Sequence, residues 1–361
     1  ITTNHVTGDL GSFSTHLSSK DWVGGSTAGE KFASIGMDFE AQFSDLTAKK
    51  SWFAFGDQIV ALGADITSTE GDYTETVVEN RKIKEDASNK VLVDGKEAVA
   101  NLGDKETISA NWAWLEANDQ GTSIGYYFPT TTEITLTRQQ NSGKWQDINQ
   151  SSNMINEETA KELTHNYATI AMEHGAKPQG ESYSYVLLPG RSQEQMEQYA
   201  QENGIEVLSN TGALQAAADT KQGVMGLNFW QAGTFAMPTE QKALPQGITQ
   251  ISTDAPASVT IYNQAGQLEI GISDPTQKSA SITLRLEGKN LSVGTMPENI
   301  TAVADETGVT LTVNTENAYG ATFTAQVEDK GAAVAALVEQ VAGFMEATLT
   351  TDNMIQAVAL L

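Results

Sequence analysis

Three adjacent residues, His165, Asn166 and Tyr167, followed by His174 in "HNYATIAMEHG", have the side-chain types of an acid–base site. An imidazole is a near-neutral base and a phenol can pass a proton on. Their spacing opposes that use: neighbours along a strand point to opposite faces, so His165 and Asn166 would not converge on one substrate atom. The segment is therefore expected to be a structural sheet element packing near "YSYVLLPG". The other two histidines, His5 and His16, lie in a polar N-terminal segment with little sign of a core to position them. Arg138 and Arg191 are the candidates for a bidentate fork on a carboxylate, against an alternative as solvated surface residues. Trp112, Trp114 and Trp145 offer indole faces on which a pyranose ring could stack, or else sandwich core and sheet edge.

The elements that would carry these residues read as strands. From residue 30 to about 150, short runs such as "FASIGMDFEAQF", "YTETVVENRKI", "ISANWAWLEA" and "EITLTRQQ" are separated by Gly, Asp, Asn or Ser clusters. In "AKKSWFAFGDQIVALGADI" the apolar run does not alternate, which predicts a strand buried on both faces entered through the tight, polar "GDQ". Asp94-Gly95 predicts a hairpin turn, since both central positions need positive φ. One body helix is predicted over "SQEQMEQYAQENG", with Ser192 as N-cap and Asn203-Gly204 as its stop.

Pro238 and Pro245 flank a polar link, which places a domain boundary near residue 242. Beyond it "SVTIYN", "QLEIGISD", "SASITLRLEG", "GVTLTVNT" and "TFTAQVE" predict a smaller β-sandwich to residue 328. From 329 to 361 the i, i+3, i+4, i+7 spacing of Val334, Leu337, Val338, Val341 and Met345 predicts a terminal helix, the start of a helical module. The expected fold is thus all-β: a large antiparallel β-sandwich domain over 1–242, a small one over 243–328, and a terminal helix.

Composition bounds the partners. With 21 basic and 46 acidic residues the formal charge is -25, which opposes nucleic acid and anionic membrane. There is no cysteine, hence neither a disulfide framework nor a thiolate metal site. No run of 18 apolar residues occurs. The opening "ITTNHVTGDLGSF" has no basic start, apolar stretch or initiator methionine, and reads as a cleavage product or a plain boundary.

Several of these stretches taken together, "GMDFEAQFSDLTAKKSWFAFGDQIVALGADITS", "ETVVENRK", "GKWQDIN", "HNYATIAMEHGAKPQGESYSYVLLPG" and "NFWQAG", resemble the central β-domain of polysaccharide lyase family 8. The section from "ITQISTDAPASVTIYNQ" to "TLRLEG" resembles that family's small C-terminal β-domain. The likeness runs in order over roughly residues 20 to 300. It implies a missing N-terminal α/α toroid, an incomplete N-terminal edge of the first domain, and β-elimination at a uronic acid by Asn, His, Tyr and Arg of the toroid. No position here matches those catalytic residues. Arg138 and Arg191 would then reach a uronate from the β side of the cleft. Family members also resemble one another in a run Phe-Asp-Asp-Glu-Ile-Val-Ala-Leu-Gly whose acids can hold calcium. In "FGDQIVALG" only Asp57 remains, so no cofactor is required and calcium would rest on Asp57 alone.

The resemblance thus implies the C-terminal β portion of a secreted, extracellular lyase acting on an acidic polysaccharide, nicked and docked on its toroid, and inactive alone. "YSYVLLPG" and "NFWQAG" lean toward xanthan lyase rather than hyaluronate or chondroitin lyase. The rival reading is a stand-alone, non-catalytic glycan-binding or spacer module.

Overall fold

The computed structural model describes residues 1–7, 17–118, 121–148, 155–238 and 247–331, with 334 and 338. Its first strands are β1 (Thr2–Thr3), β2 (Val23–Ala28), β3 (Phe32–Glu40), β4 (Thr47–Phe55), β5 (Gln58–Thr67), β6 (Thr74–Lys82), β7 (Val91–Val93), β8 (Lys96–Glu97), β9 (Lys105–Leu115) and β10 (Ile124–Gly143). There follow helix α1 (Trp145–Ile148), β11 (Leu163–Gly175), β12 (Gln179–Pro189), helix α2 (Gln193–Glu202), β13 (Ile205–Asn210) and β14 (Leu214–Asp219). The remainder comprises β15 (Val224–Phe229), β16 (Gly233–Ala236), β17 (Ile248–Thr253), β18 (Ala257–Gln264), β19 (Gln267–Ser273), β20 (Ser281–Gly288), β21 (Leu291–Val293), β22 (Ile300–Asp305), β23 (Gly308–Asn314) and β24 (Phe323–Asp329). The protein is an all-β fold of antiparallel sheets, as its alternating and continuous apolar runs predict.

The chain divides into two compact units. The first comprises Ile1–Val23 with Gly36–Gln215, the second Gly24–Ile35 with Ala216–Leu361. The division at 215/216 differs from the boundary expected near 242. Two non-local pairings account for it. Strand β15 lies antiparallel to β18, from Val224 opposite Tyr262 to Phe229 opposite Ala257, so residues before the proline link belong to the later sheet. Residues 24–35 join the same unit through a buried hydroxyl ladder: Ser26 Oγ lies 3.0 Å from Ser258 Oγ and 2.8 Å from Thr260 Oγ1, which in turn bonds Ser34 Oγ at 2.8 Å. The link itself, at 239–246, lies outside the described residues.

The first unit is built on the sheet path β1-β6-β11-β10-β12-β5-β4, with β9, β7 and β8 branching from β10. Its longest unbroken buried run is in β5, where Val60 to Ala64 are all buried. Gly63 interrupts that run for a steric reason, since a Cβ there would stand 2.0 Å from the Tyr183 ring on the paired strand β12. The "HNYATIAMEHG" segment is strand β11, as expected. The Asp94-Gly95 hairpin joins β7 to β8 with φ of 47° and 79° at its centre.

The second unit carries the sheet path β15-β18-β19-β24-β21, which Ala216–Asp219 of β14 extend, and a five-stranded sheet ordered β16-β17-β20-β23-β22. Val259, Ile261, Ile270 and Val327 of the first, and Ile251, Leu284, Leu311 and Val313 of the second, are buried. Strand β24 ends at Asp329 and helical backbone begins at Lys330. The expected terminal helix otherwise lies outside the described residues, except for Val334 and Val338, both helical and exposed.

Candidate functional site

One end of the first unit's sheet brings together two residues nominated separately. Asp57 stands in the tight turn between β4 and β5, where Gly56 supplies a φ of 69° that a side chain would resist. Arg191 follows the Pro189-Gly190 end of β12. Its guanidinium Nη2 donates to Asp57 Oδ2. Trp114 Nε1 and Ser123 Oγ both donate to the Arg191 carbonyl, at 2.8 Å each, so the backbone beneath that side chain is fixed from two directions. The next residue, Ser192, caps α2 through a reciprocal capping box with Gln195. Helix α2 seats on the sheet where Gly125 leaves room for it: a Cβ there would stand 2.0 Å from Met196 Sδ. Tyr199 of the helix donates to Gln58 Oε1 and meets the Tyr127 ring edge-on at 5.5 Å.

A second arginine, Arg81, was not singled out by sequence reasoning. Its Nη1 donates to the Thr122 carbonyl at 2.9 Å and its Nη2 lies 3.3 Å from Glu79 Oε2. Glu79 accepts the buried Tyr126 hydroxyl at 2.5 Å. Burial first, and the Glu79 charge second, push the Tyr126 phenol far above its usual pKa, which keeps it a donor. The Thr122-Ser123 dipeptide therefore accepts from Arg81 and donates to the backbone of Arg191. Nothing local in "ETVVENRK" marks Arg81, because the connection depends on a loop 41 residues away.

Arg138 is placed otherwise than a substrate-binding residue requires. It is 1% exposed and gives its two terminal nitrogens to the carbonyls of Ala87 and, at 2.6 Å, Asn89. So engaged, the fork fastens the 87–89 loop and presents nothing to a polymer. Trp112 and Trp114 are buried, on the strand against which α2 packs, so neither indole face is open for stacking. Trp145 is exposed, in α1. Trp52, passed over in the sequence, is half-buried on β4 against the core.

The adjacent trio separates as strand geometry requires. His165 faces Lys82 and Glu85, with Nδ1 3.4 Å from the carboxylate. Asn166 is buried and donates to the Glu85 carbonyl at 2.8 Å. His174 closes a buried hydrogen-bonded series: Lys50 Nζ to Thr2 Oγ1 at 2.9 Å, Thr2 to Thr76 at 2.9 Å, and Thr76 to His174 Nε2 at 2.8 Å. Burial, then the Lys50 charge, hold the His174 pKa down at about 4. Burial alone lowers Lys50 to about 8, and its ammonium sits 5.4 Å and 5.8 Å from the Phe39 and Tyr183 ring centres. Tyr183 is 5% exposed and lies beside the partly buried His174, so this phenol is closed to a polymer.

Asp57 does not fit a calcium ligand. Its carboxylate is matched to a guanidinium, whose charge opposes a cation, and Gly56 and Gln58 beside it add no anionic oxygen. Among the described residues no three His, Asp or Glu side chains are grouped to hold a metal. What the site offers is a rigid corner with two partly exposed arginines, each paired with a carboxylate, and among the described residues no accessible base and proton donor converge there on one atom.

The fold is an all-β chain with a broad sheet and a second, smaller pair of sheets, and the comparisons specify its family. Residues 1–200 match the polysaccharide lyase family 8 super-sandwich domain and residues 206–283 the C-terminal beta-sandwich domain of the same family. The chain belongs to polysaccharide lyase family 8. It is 35% identical over 306 residues to a xanthan lyase of Bacillus sp. (strain GL1), covering 82% of this chain and 31% of that protein. It is 31% identical over 335 residues to hyaluronate lyase HylB of Enterococcus faecalis, covering 89% of this chain and 31% of that one. The solved structure of a Paenibacillus xanthan lyase superposes with a TM-score of 0.78 at 32% identity, over 87% of this chain and 29% of that one. The chain thus spans about a third of the length of the relatives it matches.

Proposed function

We propose that this chain is the β portion of a secreted, extracellular lyase that cleaves a uronic-acid-containing polysaccharide by β-elimination, with xanthan as the favoured substrate. The observation that carries the reading is the match of 35% identity over 82% of the chain to a xanthan lyase of which it spans only 31%. Two thirds of such a protein lies elsewhere, and that remainder, an α/α toroid, supplies the groups that neutralise the uronate, abstract the C5 proton and protonate the leaving oxygen.

The part assigned to this chain is to form one wall of the cleft. Arg191 and Arg81 offer N–H donors to an anionic sugar, each already oriented by a carboxylate partner, so less side-chain freedom is lost on binding. No cofactor takes part. The chain by itself does not catalyse elimination, because each proton transfer needs a positioned acid or base worth about 10²- to 10⁴-fold.

Hyaluronate is the second reading, supported by 31% identity over 89% of the chain to a hyaluronate lyase. The lyase containing this chain is tested separately on xanthan, hyaluronan and chondroitin, following the near-ultraviolet absorbance of the unsaturated uronate. Activity on xanthan is expected, and activity confined to a glycosaminoglycan overturns the preference.

A further inference from the structure

The five-stranded sheet of the second unit carries a cleft of about 490 Å³ on its solvent face, lined by residues 232–234, 252–254, Thr283 and Arg285. Cross-strand register explains why its polar groups meet. Thr234 of β16 stands opposite Ser252 of β17, which stands opposite Arg285 of β20, and Asp254 and Thr283 lie one step further along the same face.

The hydroxyls of Thr234, Ser252 and Thr283 make no hydrogen bond to other described residues, and Asp254 uses one carboxylate oxygen, accepting the Thr283 amide at 2.7 Å. Three hydroxyls and one carboxylate oxygen therefore line the same cleft without a protein partner among the described residues. Arg285, by contrast, is fully engaged through both terminal nitrogens. They donate to the two Asp305 oxygens at 2.9 and 3.0 Å, to Thr307 at 2.6 Å and to Thr310 at 2.9 Å.

We propose that this cleft binds a neutral hexopyranose unit of a polysaccharide. Donor supply decides against an anionic sugar: the four terminal N–H groups of Arg285 are all given to Asp305, Thr307 and Thr310, and Asp254 adds a negative charge beside them. Hydrogen-bonding capacity favours a polyol. Each sugar hydroxyl both donates and accepts, and an adjacent pair can be shared between a carboxylate oxygen and a protein hydroxyl. The lining offers no aromatic ring, so affinity comes from these polar contacts and stays weak, with Kd of about a millimolar. The site is independent of the lyase reading.

The test is an NMR titration of the ¹⁵N-labelled 361-residue chain with cellotetraose, using a glucuronate oligosaccharide and spermidine as charged comparisons. The expected result is saturable shift changes at 233–234, 252–254 and 283 with cellotetraose alone. Asp254→Asn, which keeps the acceptor for the Thr283 amide, should weaken binding about three- to tenfold, and Ser252→Ala with Thr283→Val more so, with the remaining spectrum unchanged. Absence of saturable binding by cellotetraose, stronger binding of either charged probe, or affinity insensitive to these variants would overturn the proposal.

Discussion

Arg191 and Asp57, 134 residues apart in the chain, meet through a guanidinium–carboxylate bond where the end of one buried strand passes the turn into another. Each residue drew notice in the sequence for a different purpose, one for a substrate carboxylate and the other for a metal. Their pairing matches the Asp57 carboxylate to a guanidinium and gives the arginine an orientation. With side chains 28% and 69% exposed, the pair contributes little to stability, at most about 1 kcal/mol.

Arg191→Ala should therefore leave the melting temperature of the chain nearly unchanged. In the complete lyase it should raise KM about five- to tenfold with kcat largely retained, and Arg191→Lys should recover part of the loss. An unchanged KM would remove Arg191 from the substrate wall.

Arg138 should behave in the opposite manner. Removing a 1%-exposed guanidinium strips partners from the Ala87 and Asn89 carbonyls and opens a void. Arg138→Ala is expected to cost about 2–4 kcal/mol in chemical denaturation of the chain. A stable variant with impaired substrate binding would restore the recognition role that its burial argues against.

His174 should give the chain an acid-sensitive limb. Its pKa falls from 6.5 to about 4 on folding, through burial and then Lys50. Above pH 6.5 both folded and unfolded chains hold it neutral, so this contribution is complete. As pH drops from 6.5 toward 4 the unfolded chain takes up the proton first, and stability falls by about 1–2 kcal/mol after allowing for partial exposure. His174→Gln, able to keep the Thr76 bond, should flatten that part of the pH–stability curve, and an unchanged slope would show that His174 is not its source.

Gly63→Ala should destabilise by about 2 kcal/mol or more, because the added methyl meets the Tyr183 ring at 2.0 Å on a strand buried on both faces. Thermal melts of the chain read this directly. A neutral outcome would mean that the β5–β12 contact yields more easily than its burial suggests.

What could be read in the sequence was local. The continuous apolar run of β5, the Asp94-Gly95 turn and the Ser192-capped helix each follow from a few consecutive residues, and each stands where expected. The division at 215/216 was not legible locally, because sheet membership is decided by distant partners, here β15 with β18 and Ser26 with Ser258 and Thr260. The arginines show the same limit. Nothing in the neighbours of Arg138 or Arg191 tells which guanidinium is enclosed by a loop and which stands at a rim, and Arg81 gains its place only through Glu79, Tyr126 and Thr122. Family likeness was easier to recognise, since it rests on the order of many segments.

The most direct test of the account compares lyase activity of the purified 361-residue chain with that of the complete enzyme containing it, on xanthan, hyaluronan and chondroitin, by absorbance of the unsaturated uronate. The account predicts no product from the chain alone on any polymer, and product from the complete enzyme. Elimination by the chain alone, abolished by replacing His165 or His174 in a protein that still folds, would contradict it and make β11 a catalytic element.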